Sequence, residues 1–449
     1  MSKVITRIAP SPTGRMHIGT VRTALFNYLY AKKYNGLFLV RIEDTDRERS
    51  KTEYEEAIWN DFSWCGLEAD IRYKQSEHLD AHRAALEDMI RRGVAYVSKE
   101  PSQKDPTQTV EVVRLRNPNK TITFNDEIRG PITFDTTELG DIVIARTVDD
   151  PLYHLAVVYD DHEAGVTHVL RAEEHISNTP RQILIQEALG YERPTYAHFP
   201  LILAPDRSKL SKRKHNAGIE VYRDRGYLPE AIINYLALLG WNPGTDQEIF
   251  SMDELIDAFD FTGVQKGGAM FSIEKLDWFN QHYIRSLSPE EQTAYLLETP
   301  EIVGTPLQSA LARSTALRED AIERVATRAE FAELIKAGEY TFLESEIDYA
   351  SEALVWKKDP DPIATAERLA EVIRLLDNIS DDQWSASAIK EALWEYAEKE
   401  GKGAVLWPVR YALSGRDRSP DPFTLAEALG KDMTLSRLTR AQSLCEIAH

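Results

Sequence analysis

The sequence predicts an α/β chain: a parallel sheet split by an insertion, followed by an all-helical C-terminal region. Three observations predict it. Short strand-like runs alternate with helical periodicity in the first part of the chain. A β-rich stretch of different texture interrupts them, and from Ser288 onward only helical patterns remain.

The first strand is Val4 to Ile8, where residue types alternate. A Pro/Gly loop follows, and Val21, Ala24, Leu25 and Tyr28 then recur at i, i+3, i+4 and i+7, one face of a helix. Lys32 and Lys33 fall in its last turn and Asn35-Gly36 stops it. Gly36 to Ile42 is a continuous apolar run, the texture of a strand buried on both faces, and it ends in Glu43, Asp44 and Asp46. Thr52–Cys65 and His78–Arg91 are helical. His78 and His82 share a face, but no third ligand is near, so the expectation is a solvated face rather than a metal site.

The texture changes from Ala95 to about Gly140. Strand-like pieces at 108–115, 120–124 and 131–134 are separated by Pro and Asn-rich turns. Ile142–Ala145, Val157–Tyr159 and Val166–Leu170 then read as the strands that resume the split sheet. Asn178-Thr179-Pro180 opens a helix, and Phe199–Leu203 is a further strand. Gly226-Tyr227-Leu228-Pro229-Glu230 opens a helix running to Leu239. Ser288-Pro289-Glu290-Glu291 is a capping box, and Leu369, Val372, Ile373 and Leu376 make an apolar stripe suited to a core.

A chain of 449 residues implies two or three cores, and 43% hydrophobic with 28% charged residues describes a globular protein. No basic-then-apolar leader precedes the first strand, and the longest apolar run, Ile232–Trp241, is about half a membrane span. Two cysteines, Cys65 and Cys445, argue for neither a disulfide framework nor a cysteine-built metal site. A cytoplasmic protein without a membrane partner is expected. The formal charge of −20 argues against a polyanionic partner if taken globally, yet basic clusters at Lys209–Lys214 and Arg410–Arg418 could form a local footprint.

Two stretches carry chemistry. Ala9 to Thr20 places His17 and Gly19 at a helix N-terminus, where N–H groups and the helix dipole favour phosphate and an imidazole can donate to it. Asp206-Arg207-Ser208-Lys209-Leu210-Ser211-Lys212-Arg213-Lys214 is a basic loop just after a strand, a run that by itself fits a mobile, solvated surface loop. Glu43 could hold an ammonium group, and Arg171 at a strand end suits a carboxylate, or could simply pair with Glu173 or Asp161.

His17-Ile18-Gly19-Thr20 and Lys209-Leu210-Ser211-Lys212-Arg213 resemble the two signatures of class I aminoacyl-tRNA synthetases, with Thr20 where many members have a second imidazole. Arg7 through Asn27, Arg41-Ile42-Glu43-Asp44-Thr45-Asp46-Arg47, Tyr153-His154-Leu155-Ala156 and Val169-Leu170-Arg171-Ala172-Glu173-Glu174-His175 resemble the bacterial-type glutamyl-tRNA synthetases in particular.

The resemblance implies a Rossmann-like catalytic domain (1–94 and 141–215) with an inserted tRNA acceptor-binding subdomain (95–140). A connecting helical domain (216–287) and a helical anticodon-binding domain (288–449) would follow. It implies ATP-dependent activation of L-glutamate and its transfer to tRNA(Glu), with tRNA(Gln) a further candidate, by a monomer. His17, Lys209 and Lys212 would be catalytic, and His17, Gly19, Thr20, Glu174, Lys209, Ser211 and Lys212 would bind ATP with its Mg²⁺. Arg7, Ala9, Ser11, Glu43, Tyr153 and Arg171 would bind glutamate. One side-chain contact to the substrate would be absent, because a position that can be Asn in the family is Val157. Some relatives hold zinc through cysteines in the insertion; Ala95 to Glu100 has no cysteine near it, so no structural zinc is expected, and no protein ligand for a metal can be named. Arg318, Arg324 and Arg328 are candidates for reading the anticodon.

Overall fold

The computed structural model describes residues 3–102, 105, 107–211, 214, 217–344 and 347–447. The chain forms two units, Met1–Phe279 and Asn280–His449.

In the first unit, β1 (Ile5–Ile8) leads through the Pro/Gly loop into α1 (Ile18–Lys33), and β2 (Leu37–Ile42) returns parallel to β1, Ile5 opposite Leu37. After α2 (Thr52–Trp64), β3 (Ile71–Lys74) pairs parallel with β2. On the other side of β1, Thr167 N donates to Ile5 O at 3.0 Å and Ile5 N to Thr167 Oγ1 at 2.8 Å. These bonds bring in β10 (His168–Ala172), which pairs parallel with β11 (Thr195–Phe199). The resulting order is β3-β2-β1-β10-β11, and its strands end on one side, where an open α/β sheet presents ligand groups. Five of the six β2 residues are buried, Arg41 among them, as a strand covered on both faces requires.

Between β3 and β10 come α3 (Leu79–Arg91) and then β4 (Ala95–Pro101), β5 (Thr109–Leu115), β6 (Thr121–Asp126), β7 (Gly130–Asp135), β8 (Ile142–Thr147) and β9 (Asp150–Pro151). β4-β5-β8-β9 is an antiparallel sheet, whereas the β6–β7 hairpin extends the parallel sheet where Tyr196 meets Asp126. Burial in β6 alternates strictly, the mark of a sheet with one face in water. Leu115, Ile144, Leu155 and Ile183 share one core, so the antiparallel strands are packed against the elements of the parallel sheet rather than standing apart from them.

Three expectations fail. Ile142–Ala145 does not rejoin the parallel sheet but pairs with β5. Val157–Tyr159 lies inside α4 (Tyr153–Glu163), not in a strand. Short apolar runs are ambiguous by periodicity, and here Leu155, Val158 and Asp161 turn one helical face inward. His82 is not solvated: it is fully buried with Nε2 2.5 Å from Asp160 Oδ1, while His78 stacks on Tyr73.

After α5 (Thr179–Leu189) and β11, the short β12 (Ile202–Leu203) pairs with β13 (Ala269–Met270), and helices Ile219–Asp224 and Pro229–Leu238 follow the basic loop. Among its described residues the second unit is helical. Ser288 Oγ accepts from Glu291 N and Glu291 Oε2 from Ser288 N, completing the expected capping box. Leu369, Val372 and Leu376 of helix Pro362–Asp377 are buried. Of the arginines proposed for the anticodon, Arg318 is buried, Arg324 pairs with Glu339 and Arg328 with Glu298. No helix among the described residues is long and apolar enough to cross a membrane.

Candidate functional site

A cavity of about 660 Å³ opens beyond the ends of β1, β2 and β10. It is lined by Arg7, Ala9, Ser11, His17, Gly19, Thr20, Glu43, Tyr153, Arg171, Glu174, Lys209 and Ser211, so twelve of the thirteen residues singled out from the sequence meet in one place. The thirteenth, Lys212, lies outside the described residues. Val157 also lines the cavity.

Loop 9–12 is held from below, since Glu43 N donates to Pro10 O and Lys51 N to Pro12 O, each at 3.0 Å. His17 is the N-cap of α1, and its Nδ1 accepts from Gly19 N at 2.9 Å. Nδ1 therefore carries the lone pair, and in the neutral ring the proton sits on Nε2, which becomes a donor. The rest of the first turn is occupied: Ile18 N donates to Ala217 O, and Thr20 N and Val21 N donate to His17 O. This corrects the expectation of unpaired N–H groups for phosphate. The helix end contributes its dipole and the His17 ring instead. It also changes the reason for Gly19. A Cβ there would stand 3.0 Å from His17 Nδ1, so the ring that needs the missing side chain is the histidine's own.

At the other end, Arg207 adopts φ 63° in a turn where Ser208 N and Oγ both donate to Asp206. Lys214 Nζ also donates to Asp206, at 2.9 Å, and these bonds hold the Asp206 carboxyl well below the usual range. Lys209 Nζ is ion-paired to Glu174 across the cavity wall.

Arg7, Arg41, Glu43 and Asp161 form a buried charge chain. Arg41 Nη1 lies 2.6 Å from Asp161 Oδ1 and Arg7 Nε 3.2 Å from the same atom, while Arg41 Nη2 reaches Glu43 Oε1 at 3.2 Å. Burial pushes the Asp161 carboxyl up, but the two guanidinium groups outweigh it and hold it below the ordinary range. At Glu43 burial wins over Arg41 and the carboxyl is raised. Asp44 accepts from Ser76 N and Oγ, and Asp46 from Arg49 N, so both brace the loop that follows β2.

Arg171 is different. It is 5% exposed and its donors go to neutral acceptors: Nε to His198 Nε2 at 3.1 Å, Nη1 to Gln182 Oε1 at 2.8 Å and Nη2 to Thr179 Oγ1 at 2.8 Å, with His175 O at 3.4 Å. Neither suggested partner is used. Asp161 serves Arg7 and Arg41, and Glu173 bonds Arg129 and Leu201 N. Among the described residues no carboxylate hydrogen-bonds to Arg171, and burial with nearby Arg7 pulls its pKa down to about 10. It remains a cation, and at least one of its five N–H groups is left for a ligand oxygen. His198, Gln182 and Thr179 were not legible as site residues, because nothing in sequence separates a polar residue behind a guanidinium from one in a core.

A family model described as the catalytic domain of class I tRNA synthetases (E and Q) matches residues 3–111 and 99–278, and one described as an anticodon-binding domain matches 283–442. A glutamate–tRNA ligase of Azorhizobium caulinodans is 39% identical over 98% of this chain and 99% of its own. The chain belongs to the class I glutamyl-tRNA synthetase family. A glutamate–tRNA ligase of Geobacter sulfurreducens is 40% identical over 99% of this chain and 100% of its own. A crystal structure of the glutamate–tRNA ligase of Elizabethkingia meningosepticum, in complex with its amino acid, has a TM-score of 0.83 and 30% identity, covering 98% of this chain and 99% of that one. Membership in this synthetase family makes the chain an aminoacyl-tRNA ligase that uses ATP, and the cavity is where its described motif residues converge.

Proposed function

We propose that the chain is a glutamate–tRNA ligase whose cavity binds glutamate through Arg171 and ATP through His17 and the basic loop. The observation that carries this reading is Arg171, a buried guanidinium with only neutral partners among the described residues, in the same cavity as His17 and Lys209. A buried cation of this kind is stabilised by a carboxylate and not by an amide. Arg171 takes the side-chain carboxylate, while Glu43 at the cavity wall faces the α-ammonium group. Arg7, already neutralised by Asp161, orients rather than supplies net charge.

The α-carboxylate of glutamate attacks the α-phosphorus, the bond to pyrophosphate breaks, and glutamyl-adenylate forms. A ribose hydroxyl of the tRNA terminus then attacks the glutamyl carbonyl and AMP leaves. His17 Nε2–H donates to a phosphate oxygen, and Lys209 exchanges Glu174 for the leaving pyrophosphate. Lys212 keeps its share of that role from the sequence. Mg²⁺ enters with the nucleotide as part of the ATP substrate.

Charging purified tRNA(Glu) with glutamate and with glutamine tests the reading. Glutamate but not glutamine should be attached; glutamine charging, or no product, would sink it. Running tRNA(Gln) alongside decides whether both tRNAs are substrates. Gly19→Ala is expected to raise the KM for ATP roughly tenfold, by pushing aside a hydrogen-bonded imidazole, with the melting temperature little changed. An unaltered KM would remove His17 from nucleotide binding.

A further inference from the structure

His198 is wholly buried on β11, and its Nδ1 lies 2.6 Å from Asp126 Oδ2. Asp126, 1% exposed at the end of β6, is itself fixed, because Oδ1 accepts from Ile128 N at 3.0 Å and Arg129 N at 2.9 Å. Burial pushes the carboxyl up, but the bond from His198, and after it those from Arg129 N and Ile128 N, outweigh it and hold the carboxyl below its ordinary range. A carboxylate against Nδ1 requires the proton on Nδ1, which leaves the lone pair on Nε2. That lone pair is the acceptor that Arg171 Nε meets at 3.1 Å, with Thr179 Oγ1 at 3.3 Å.

We propose that Asp126 and His198 are positioning residues for Arg171: the carboxylate sets the tautomer of the imidazole, and the imidazole turns the guanidinium so that it addresses the substrate's side-chain carboxylate. This rests on the reading of Arg171 given above. The arrangement solves a specific difficulty. A carboxylate placed directly behind Arg171 would neutralise it and compete with the substrate. A neutral imidazole orients the same N–H and leaves the positive charge for the ligand, with the negative charge kept one ring further away. Asp126 comes from the hairpin that extends the sheet, so the inserted segment contributes to the amino-acid pocket as well as to its own core.

The test measures KM for glutamate, KM for ATP and kcat in glutamate-dependent ATP–pyrophosphate exchange, with and without tRNA, on the full chain. His198→Ala is expected to raise the KM for glutamate about tenfold to a hundredfold, with the KM for ATP within about twofold. His198→Gln places an amide oxygen near the position of Nε2 and is expected to recover most of the loss. Asp126→Asn, which no longer dictates the tautomer, should fall between them. A merely structural histidine would lower melting temperature and move both KM values together. If His198→Ala fails to fold, the Gln and Asn variants still carry the comparison. A glutamate KM unchanged in all three variants, or a rise in ATP KM that matches it, overturns the proposal while Arg171→Ala remains impaired. An unimpaired Arg171→Ala overturns the pocket reading itself and takes this proposal with it.

Discussion

Arg171→Ala is expected to lower kcat/KM for glutamate activation by roughly 10²- to 10³-fold, the range for losing one partner of a buried charge pair. The loss should fall mainly on glutamate KM, with ATP binding nearly unchanged. Arg171→Lys should rescue little. The guanidinium holds at least three acceptors in fixed directions, at His198, Gln182 and Thr179, and an ammonium on a flexible stem cannot meet that pattern and the substrate together. Glutamine should inhibit the native enzyme weakly, since an amide leaves the buried cation uncompensated. The measurement is pyrophosphate exchange across glutamate concentrations, with glutamine as competitor. A glutamate KM within threefold of native would move specificity to another group, of which Arg7 is the next in the cavity.

How much of this was legible in the sequence varies with the kind of signal. The strand–loop–helix around His17 was legible because hydrophobic period, lysines in the last turn and the Asn35-Gly36 stop all agree. The convergence of Glu43, Arg171 and Lys209 followed from their places at strand ends. Val157–Tyr159 reads as a strand because two β-branched residues fit either period, and its place inside the helix Tyr153–Glu163 shows only in the structure. Ile142–Ala145 reads as a strand resuming the parallel sheet for a related reason. β8 is as apolar as a parallel strand, and its partner, not its composition, makes it antiparallel. The state of the phosphate end could not be read at all. That His17 Nδ1 is committed to Gly19 N, and that Ile18 N turns to Ala217 O, depends on contacts between distant or crowded atoms. The same holds for His198, which in sequence is one polar residue near the end of an apolar strand.

The largest effect on stability is expected at Asp161. Arg41 has no exposed surface, and with Arg7 it shares this one carboxylate; Glu43 is its other ion pair among the described residues, with Asp160 adding a weaker attraction. Asp161→Ala leaves two guanidinium groups facing a single acid and should cost about 3–5 kcal/mol, the usual penalty for an uncompensated buried charge. Asp161→Asn keeps the shape but offers an amide N–H to one arginine, and it should also destabilise, by a smaller amount. The pH dependence has a definite sign. The folded-state pKa of Asp161 lies below its unfolded value, so its contribution is full above about pH 4 and is lost as pH falls through the lower folded value. Acid unfolding followed by circular dichroism should therefore show a shallower loss of stability in Asp161→Ala than in the native chain. Function should suffer separately. With Asp161 gone, Arg41 is drawn to Glu43, which removes acceptor capacity from the group facing the substrate ammonium, so glutamate KM should rise even at temperatures where the variant is folded. A variant that loses less than about 1 kcal/mol would mean that Glu43 alone satisfies Arg41. The acid that holds the sheet end together would then have to be sought elsewhere in the chain of charges.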